Sequence, residues 1–142
     1  MDKELAVQSL TDTMAKFTAY IGKRLPKDVK SKLIELKTLE TNPLAKSIYD
    51  SMDENQEAAD RLNRPSCQDT GVIQYFVEAG AHFPLLGELQ EILREATEEA
   101  TRTGPLRHNA VETFDEKNTG TNTGTQIPWL DWRIVPEQDT CT

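Results

Sequence analysis

Cys67-Gln68-Asp69-Thr70-Gly71-Val72-Ile73-Gln74-Tyr75-Phe76-Val77 is the stretch that decides the fold. A small polar turn runs straight into an apolar segment rich in β-branched and aromatic residues. That composition predicts a strand from Val72 to Ala79. The turn packs a thiol, an amide, a carboxylate and a hydroxyl into its short span. In α/β proteins, ligand-binding groups gather in turns at strand ends. A lone cysteine beside Pro65 and Ser66 is otherwise an inert packed thiol. The company it keeps further along the chain therefore decides its role.

Before Arg64-Pro65 the apolar period is helical. Leu10, Met14, Phe17 and Ile21 fall on one face. Leu25-Pro26 interrupts this helix, and Pro26 opens the next. Val29, Leu33, Leu36 and Leu39 form the second stripe. Thr41-Asn42-Pro43 reads as a cap followed by proline at the first helical position, and Leu44, Ile48, Met52 and Leu62 mark a third helix. These stripes are expected to be core faces, because an amphipathic helix ordinarily buries its stripe inside its own domain.

After the strand, 80–84 is a loop in which His82 is expected to be structural. Leu86, Leu89, Ile92, Leu93, Ala96 and Ala100 predict a fourth helix whose glutamates form a wet face and not a metal site. Gly104-Pro105 ends it. Asn118-Thr119-Gly120 is then repeated as Asn122-Thr123-Gly124. Such a repeat is either a plain turn or a concave set of backbone N–H groups suited to an anion. Ile127, Trp129, Asp131, Arg133 and Val135 alternate with Leu130, Trp132 and Ile134 in a second strand. The fold class is α/β or α+β: about three N-terminal helices, then strand–helix–strand.

The 142 residues suffice for one domain with a core. A net charge of −8 argues against a nucleic-acid partner. There is no apolar run long enough to span a bilayer and no secretory signal pattern at Met1-Asp2-Lys3-Glu4. Two distant cysteines, Cys67 and Cys141, make no disulfide framework. A reducing cytoplasm is the expected setting.

Three polar clusters punctuate the second half: the Cys67 turn, Leu106-Arg107-His108-Asn109, and the doubled Asn-Thr-Gly. Arginine can grip a carboxylate through two parallel hydrogen bonds. Thiolates select soft metals and iron–sulfur clusters. Together they suggest a carboxylate ligand held beside a metal centre.

With these stretches the chain resembles the α subunit of the iron–sulfur hydro-lyases, the family of class I fumarases and, more closely, tartrate dehydratases. The carrying residues are 63–71, Phe83-Pro84-Leu85-Leu86-Gly87-Glu88-Leu89-Gln90, 105–112, and the two Asn-Thr-Gly copies. The resemblance implies a class I fumarase alpha-type domain over 1–136, followed by a short tail, 137–142, unlike the family's continuation. It implies that Cys67 is one of three thiolates on a [4Fe–4S] cluster with one iron open to substrate. It implies that Gln68, Asp69 and Arg107 contact substrate, and that the doubled Asn-Thr-Gly loop helps shape the pocket, with Asn118, Thr119 and Gly120 among the substrate-binding residues. His108 would pack or orient Arg107. The implied reaction is loss of water from L(+)-tartrate to give oxaloacetate, the iron acting as Lewis acid on the departing hydroxyl. The implied partner is a β subunit, in an α2β2 complex.

The family's α subunits are longer and carry two further cluster cysteines. Cys141 stands where no cluster ligand is expected, and the catalytic base is not assigned. The chain is thus expected to be a truncated α subunit, inactive by itself. The alternatives are a class I fumarate hydratase fragment, or a non-catalytic remnant or binding module.

Overall fold

The structure is a computed structural model that describes residues 2–66, 71–104 and 106–142. Helix α1, Lys3–Ile21, opens at Asp2, whose carboxylate accepts from the Glu4 N–H at 3.3 Å. It packs on α4, Leu89–Thr103. Their seam is made of small side chains: Ala15, Ala96 and Ala100 are buried, with Met14, Ala19 and Leu106 against them. At its end, a Cβ on Gly104 would meet the Ala19 Cβ at 2.7 Å. The backbones there approach as closely as side-chain-free packing allows. The glutamates of α4 are solvated, as expected. Arg94 pairs with Glu91 and Glu98, and Arg102 with Glu99, along the outer face.

Strand β1, Gln74–Gly80, starts two residues later than the apolar run suggests. It pairs in parallel with β2, Trp129–Val135, in a register running from Gln74↔Trp129 to Gly80↔Val135. Parallel neighbours need a crossover, and α4 lies in it. Val77 and Ala79 of β1 bury against Leu89 and Leu93 of α4, with Leu10, Phe83, Leu86 and Leu130 around them. Beside this core the Tyr75 hydroxyl bonds Thr18 of α1 at 3.0 Å and Thr97 of α4 at 3.1 Å. One phenol thus ties together both helices and the sheet.

Residues 138–142 return along the other edge of β1. Glu78 and Thr142 exchange backbone bonds of 2.9 and 2.8 Å, and the Gly80 N–H donates to Thr140 at 2.8 Å. A side chain at Gly80 would collide with the Gln138 carbonyl. β1 is therefore flanked on both edges, by β2 and by this returning segment.

Helices α2, Lys27–Leu39, and α3, Pro43–Leu62, form a pair. Pro26 is the residue just before α2. Asn42 caps α3 by accepting from the Leu44 N–H at 2.9 Å, and Pro43 follows at the first helical position, as the sequence predicts. Asn63 closes α3 at φ 49°, a left-handed end that asparagine tolerates. Lys37 reaches Asp50 at 2.8 Å and Asp53 at 2.7 Å, joining the pair. Arg24–Asp60 at 2.8 Å and Lys23–Asn63 at 2.9 Å fasten it to the end of α1.

The apolar stripes of this pair correct the expectation that they are core faces. α2 has no buried residue and α3 only Ala59. Ile34, Leu44 and Ile48 are 54%, 72% and 56% exposed. The physical reason is layering. Two helices cover only the sides they turn to each other, and no further layer lies on them among the described residues. Phe17 and Ile21 of α1 are also half exposed, while Leu10 and Met14 reach the core. No helix among the described residues is long and apolar enough to cross a membrane.

Candidate functional site

A cleft of about 320 Å³ opens where the end of α1, the approach to β1 and the segment after α4 meet. Its polar wall includes Ser66, Gly71, Arg107, Asn109 and Asn122, and its apolar wall includes Ile21, Val72 and Leu106. Residues from all three polar clusters of the sequence thus border one cavity. Cys67, Gln68, Asp69 and Thr70 lie outside the described residues. The residues on either side of them, Ser66 and Gly71, both line the cleft.

Arg107 is the single charged side chain among the described residues of this wall. It is exposed, and it has no carboxylate partner among the described residues. Among the described residues no structural salt bridge holds it there. Its guanidinium, in a chain of net charge −8, makes the cleft wall locally positive. It can accept a carboxylate in the two-bond geometry arginine favours. His108 is exposed beside it, and His82 lies beyond β1 at the end away from the cleft.

The Arg107 segment is held by amides. Asn109 donates from Nδ2 to the Gly71 carbonyl at 2.9 Å. Asn122, 7% exposed, accepts at Oδ1 from the Asn109 N–H at 2.7 Å and the Ala110 N–H at 3.4 Å. Its Nδ2 donates to the Arg107 carbonyl at 2.7 Å and to Thr101 Oγ1 of α4 at 3.2 Å. One buried carboxamide thereby fixes the segment to a rigid helix. Its backbone sits at φ 57°, where asparagine is favoured over most residues.

The first Asn-Thr-Gly copy has a different place. Asn118 donates from Nδ2 to the His108 carbonyl and accepts at Oδ1 from the Gly120 N–H at 2.8 Å. The Thr119 N–H donates to Ala110 at 2.9 Å. Asn118, Thr119 and Gly120 thus brace the outer side of the Arg107 segment and do not border the cleft. Sequence reasoning placed Asn109 in the Arg107 cluster and Asn122 in the pocket-shaping repeat without giving either a role of its own. The repeat marks Asn118 and Asn122 alike and does not say which one turns inward.

The described residues do not by themselves fit an iron–sulfur cluster, which is held by several thiolates. No three His, Cys, Asp or Glu side chains converge among the described residues. Cys141 packs against the Val77, Ala79, Leu89 and Leu93 cluster and bridges Ala79. The cleft borders Gln74, five residues back along β1. At about 3.3 Å per residue that is roughly 16 Å, so Cys141 is remote from the cleft. Burial pushes its thiol pKa up, away from the thiolate a metal requires.

Residues 11–142 match the fumarate hydratase (fumerase) family. The chain belongs to that family. The match takes in every residue of the cleft wall, from Thr18 to Asn122, and extends through the returning segment at 138–142. This fumerase-family chain is 56% identical over 138 residues to the L(+)-tartrate dehydratase subunit alpha of Escherichia coli (strain K12). That alignment covers 97% of the chain and 46% of the relative. The protein of the same name from Shigella sonnei gives the same identity and coverage. A provisionally named L(+)-tartrate dehydratase subunit alpha of Methanocaldococcus jannaschii is 33% identical over 112 residues, 75% of this chain and 38% of that one. The chain thus spans less than half the length of these relatives.

Proposed function

We propose that this chain provides the N-terminal part of the α subunit of a cytoplasmic iron–sulfur hydro-lyase that converts L(+)-tartrate to oxaloacetate. The observation that carries the proposal is the cleft, which sets Arg107, with no carboxylate partner among the described residues, beside both ends of the cysteine turn. The 56% identity to a tartrate dehydratase α subunit supports the choice of substrate. Cys67 supplies one thiolate of a [4Fe–4S] cluster, and its other ligands come from polypeptide outside this sequence. Gln68, Asp69 and Arg107 hold the carboxylate and hydroxyl groups of the substrate. Asn118, Thr119 and Gly120 act from behind, by holding the Arg107 segment in shape. The partner is a β subunit in an α2β2 complex, and the 142 residues alone are inactive. The family name favours one second reading, hydration of fumarate by the same site.

A chimera tests this. Residues 1–142 replace the matching part of the Escherichia coli α subunit, co-expressed with that enzyme's other subunit. The expected result is oxaloacetate formation from L(+)-tartrate. Cys67→Ser should abolish both activity and iron content. Arg107→Ala should raise KM while iron is retained. A folded, iron-loaded chimera that acts on fumarate and not tartrate supports the second reading. One inactive on both overturns the proposal.

A further inference from the structure

Asn109 is half-buried, follows Arg107 by two residues and lines the same cleft. Its carboxamide has two unlike ends. The Gly71 carbonyl can only accept, so the amino end, Nδ2, is the one turned toward it at 2.9 Å. The Asn109 N–H is held in turn by Asn122 Oδ1 at 2.7 Å. Backbone and amide plane are thus both fixed, and Asn109 Oδ1 accepts from no described residue.

The other side-chain acceptors on the described part of this wall are occupied or loose. Asn122 Oδ1 already takes the Asn109 and Ala110 N–H groups. Thr18 Oγ1 is bonded to the Tyr75 hydroxyl. Ser66 is itself engaged. Gln74 is exposed, and nothing among the described residues fixes its amide. Asn109 Oδ1 is the acceptor that is both held and open.

We propose that Asn109 Oδ1 accepts a hydrogen bond from the hydroxyl that the substrate keeps, making this residue a determinant of specificity. The proposal rests on the tartrate reading above. Tartrate carries a hydroxyl on each middle carbon. Dehydration expels one, and the other needs a partner of its own in the cleft. A neutral amide oxygen suits that place beside Arg107. It takes the hydroxyl proton without repelling the carboxylate that the guanidinium attracts, as an aspartate would. A fixed acceptor also discriminates by what it loses. An acid with no hydroxyl there covers the Oδ1 and leaves it unpaired, at a cost that tartrate escapes.

The chimera described above tests this, with succinate as the probe. Succinate is the same four-carbon diacid without hydroxyls, and it competes for the cleft without being turned over. Asn109→Ala should raise the KM for L(+)-tartrate and leave the inhibition constant of succinate nearly unchanged. The ratio of the second to the first should fall about tenfold, the worth of one hydrogen bond. A residue that only braces the Arg107 segment would weaken both acids alike, since both present carboxylates to Arg107. Iron content should match the wild type. Asn109→Ser, whose hydroxyl is set closer to the backbone, should shift the ratio the same way, and it is read instead if the alanine variant does not fold. An unchanged ratio in folded, iron-loaded variants overturns the inference and leaves the tartrate reading standing. A wild-type chimera inactive on tartrate overturns both.

Discussion

The Asn109 side chain donates to the Gly71 carbonyl at 2.9 Å, fastening the segment that carries Arg107 to the residue from which β1 is approached. Two pieces of chain that are far apart in sequence thus share one wall, and Asn122 behind them fixes that wall to α4. The cleft is held by side-chain amides on backbone groups and not by a regular element.

Removing that amide should be costly. Asn122→Ala leaves the Arg107 carbonyl and the Asn109 N–H without their short partners in a buried place. A loss of about 2–3 kcal/mol is expected, from unsatisfied groups and from alanine at a left-handed backbone position. Asn122→Asp keeps the acceptor but turns a buried carboxylate oxygen against the Arg107 carbonyl, so it should cost at least as much as alanine. Urea unfolding of the three chains measures the order. Equal stability for wild type and Asn122→Ala would count against the bracing role.

The seam between α1 and α4 makes a second prediction. Gly104→Ala puts a methyl 2.7 Å from the Ala19 Cβ, and neither helix can yield without disturbing the alanine packing. Overpacking of this kind costs about 1–3 kcal/mol. Gly87→Ala is the control, since its added Cβ meets nothing within 4 Å. Thermal unfolding should separate the two variants clearly.

Acid should act on the link between α2 and α3. Glu40 Oε1 accepts from the Thr41 and Asn42 N–H groups at 2.8 and 2.9 Å. These bonds, Asn42 first, hold its pKa below the usual carboxylate value. A depressed folded-state pKa means the stabilisation is present above the ordinary carboxylate pKa and fades as pH falls through the depressed one. The urea midpoint of wild type minus that of Glu40→Gln should therefore be positive near neutrality and vanish in acid. A difference constant with pH would contradict the assigned cause.

Cys141 should be a sluggish thiol. It packs on the β1 core, and burial raises its pKa. In a Cys67→Ser background, alkylation at mildly alkaline pH should run several-fold slower in the folded chain than in urea, because the thiolate is the reacting form. Mass spectrometry follows it directly. Equal rates in the two states would place Cys141 in open solvent.

Much of this architecture was legible in the residues. Asn42-Pro43 marks the start of α3, the Leu89-to-Ala100 stripe marks α4, and the two β-branched runs mark both strands. These are local signals, set by capping and by side-chain period. What could not be read was what each stripe packs against. α1 finds α4, while α2 and α3 expose Ile34 and Ile48, because burial depends on which layers meet in space. The parallel sense of β1 and β2 was hidden for the same reason. In the site, Arg107 stood out as a charge in a polar cluster. Asn122 did not, since its inward aim follows from a left-handed backbone turn that Asn118 lacks.

The register that pairs Gln74 with Trp129 also governs the order of assembly. β1 has no strand partner until residues 129–135 exist, and α1 has no helix to dock on until α4 has formed. Contacts so distant in sequence close slowly, because the loop entropy is lost before the contacts form. A chain emerging from the ribosome would therefore form the α2–α3 pair early, while α1 and β1 wait for α4 and β2. Any substitution that weakens α4 should delay the docking of α1 and of β1 together.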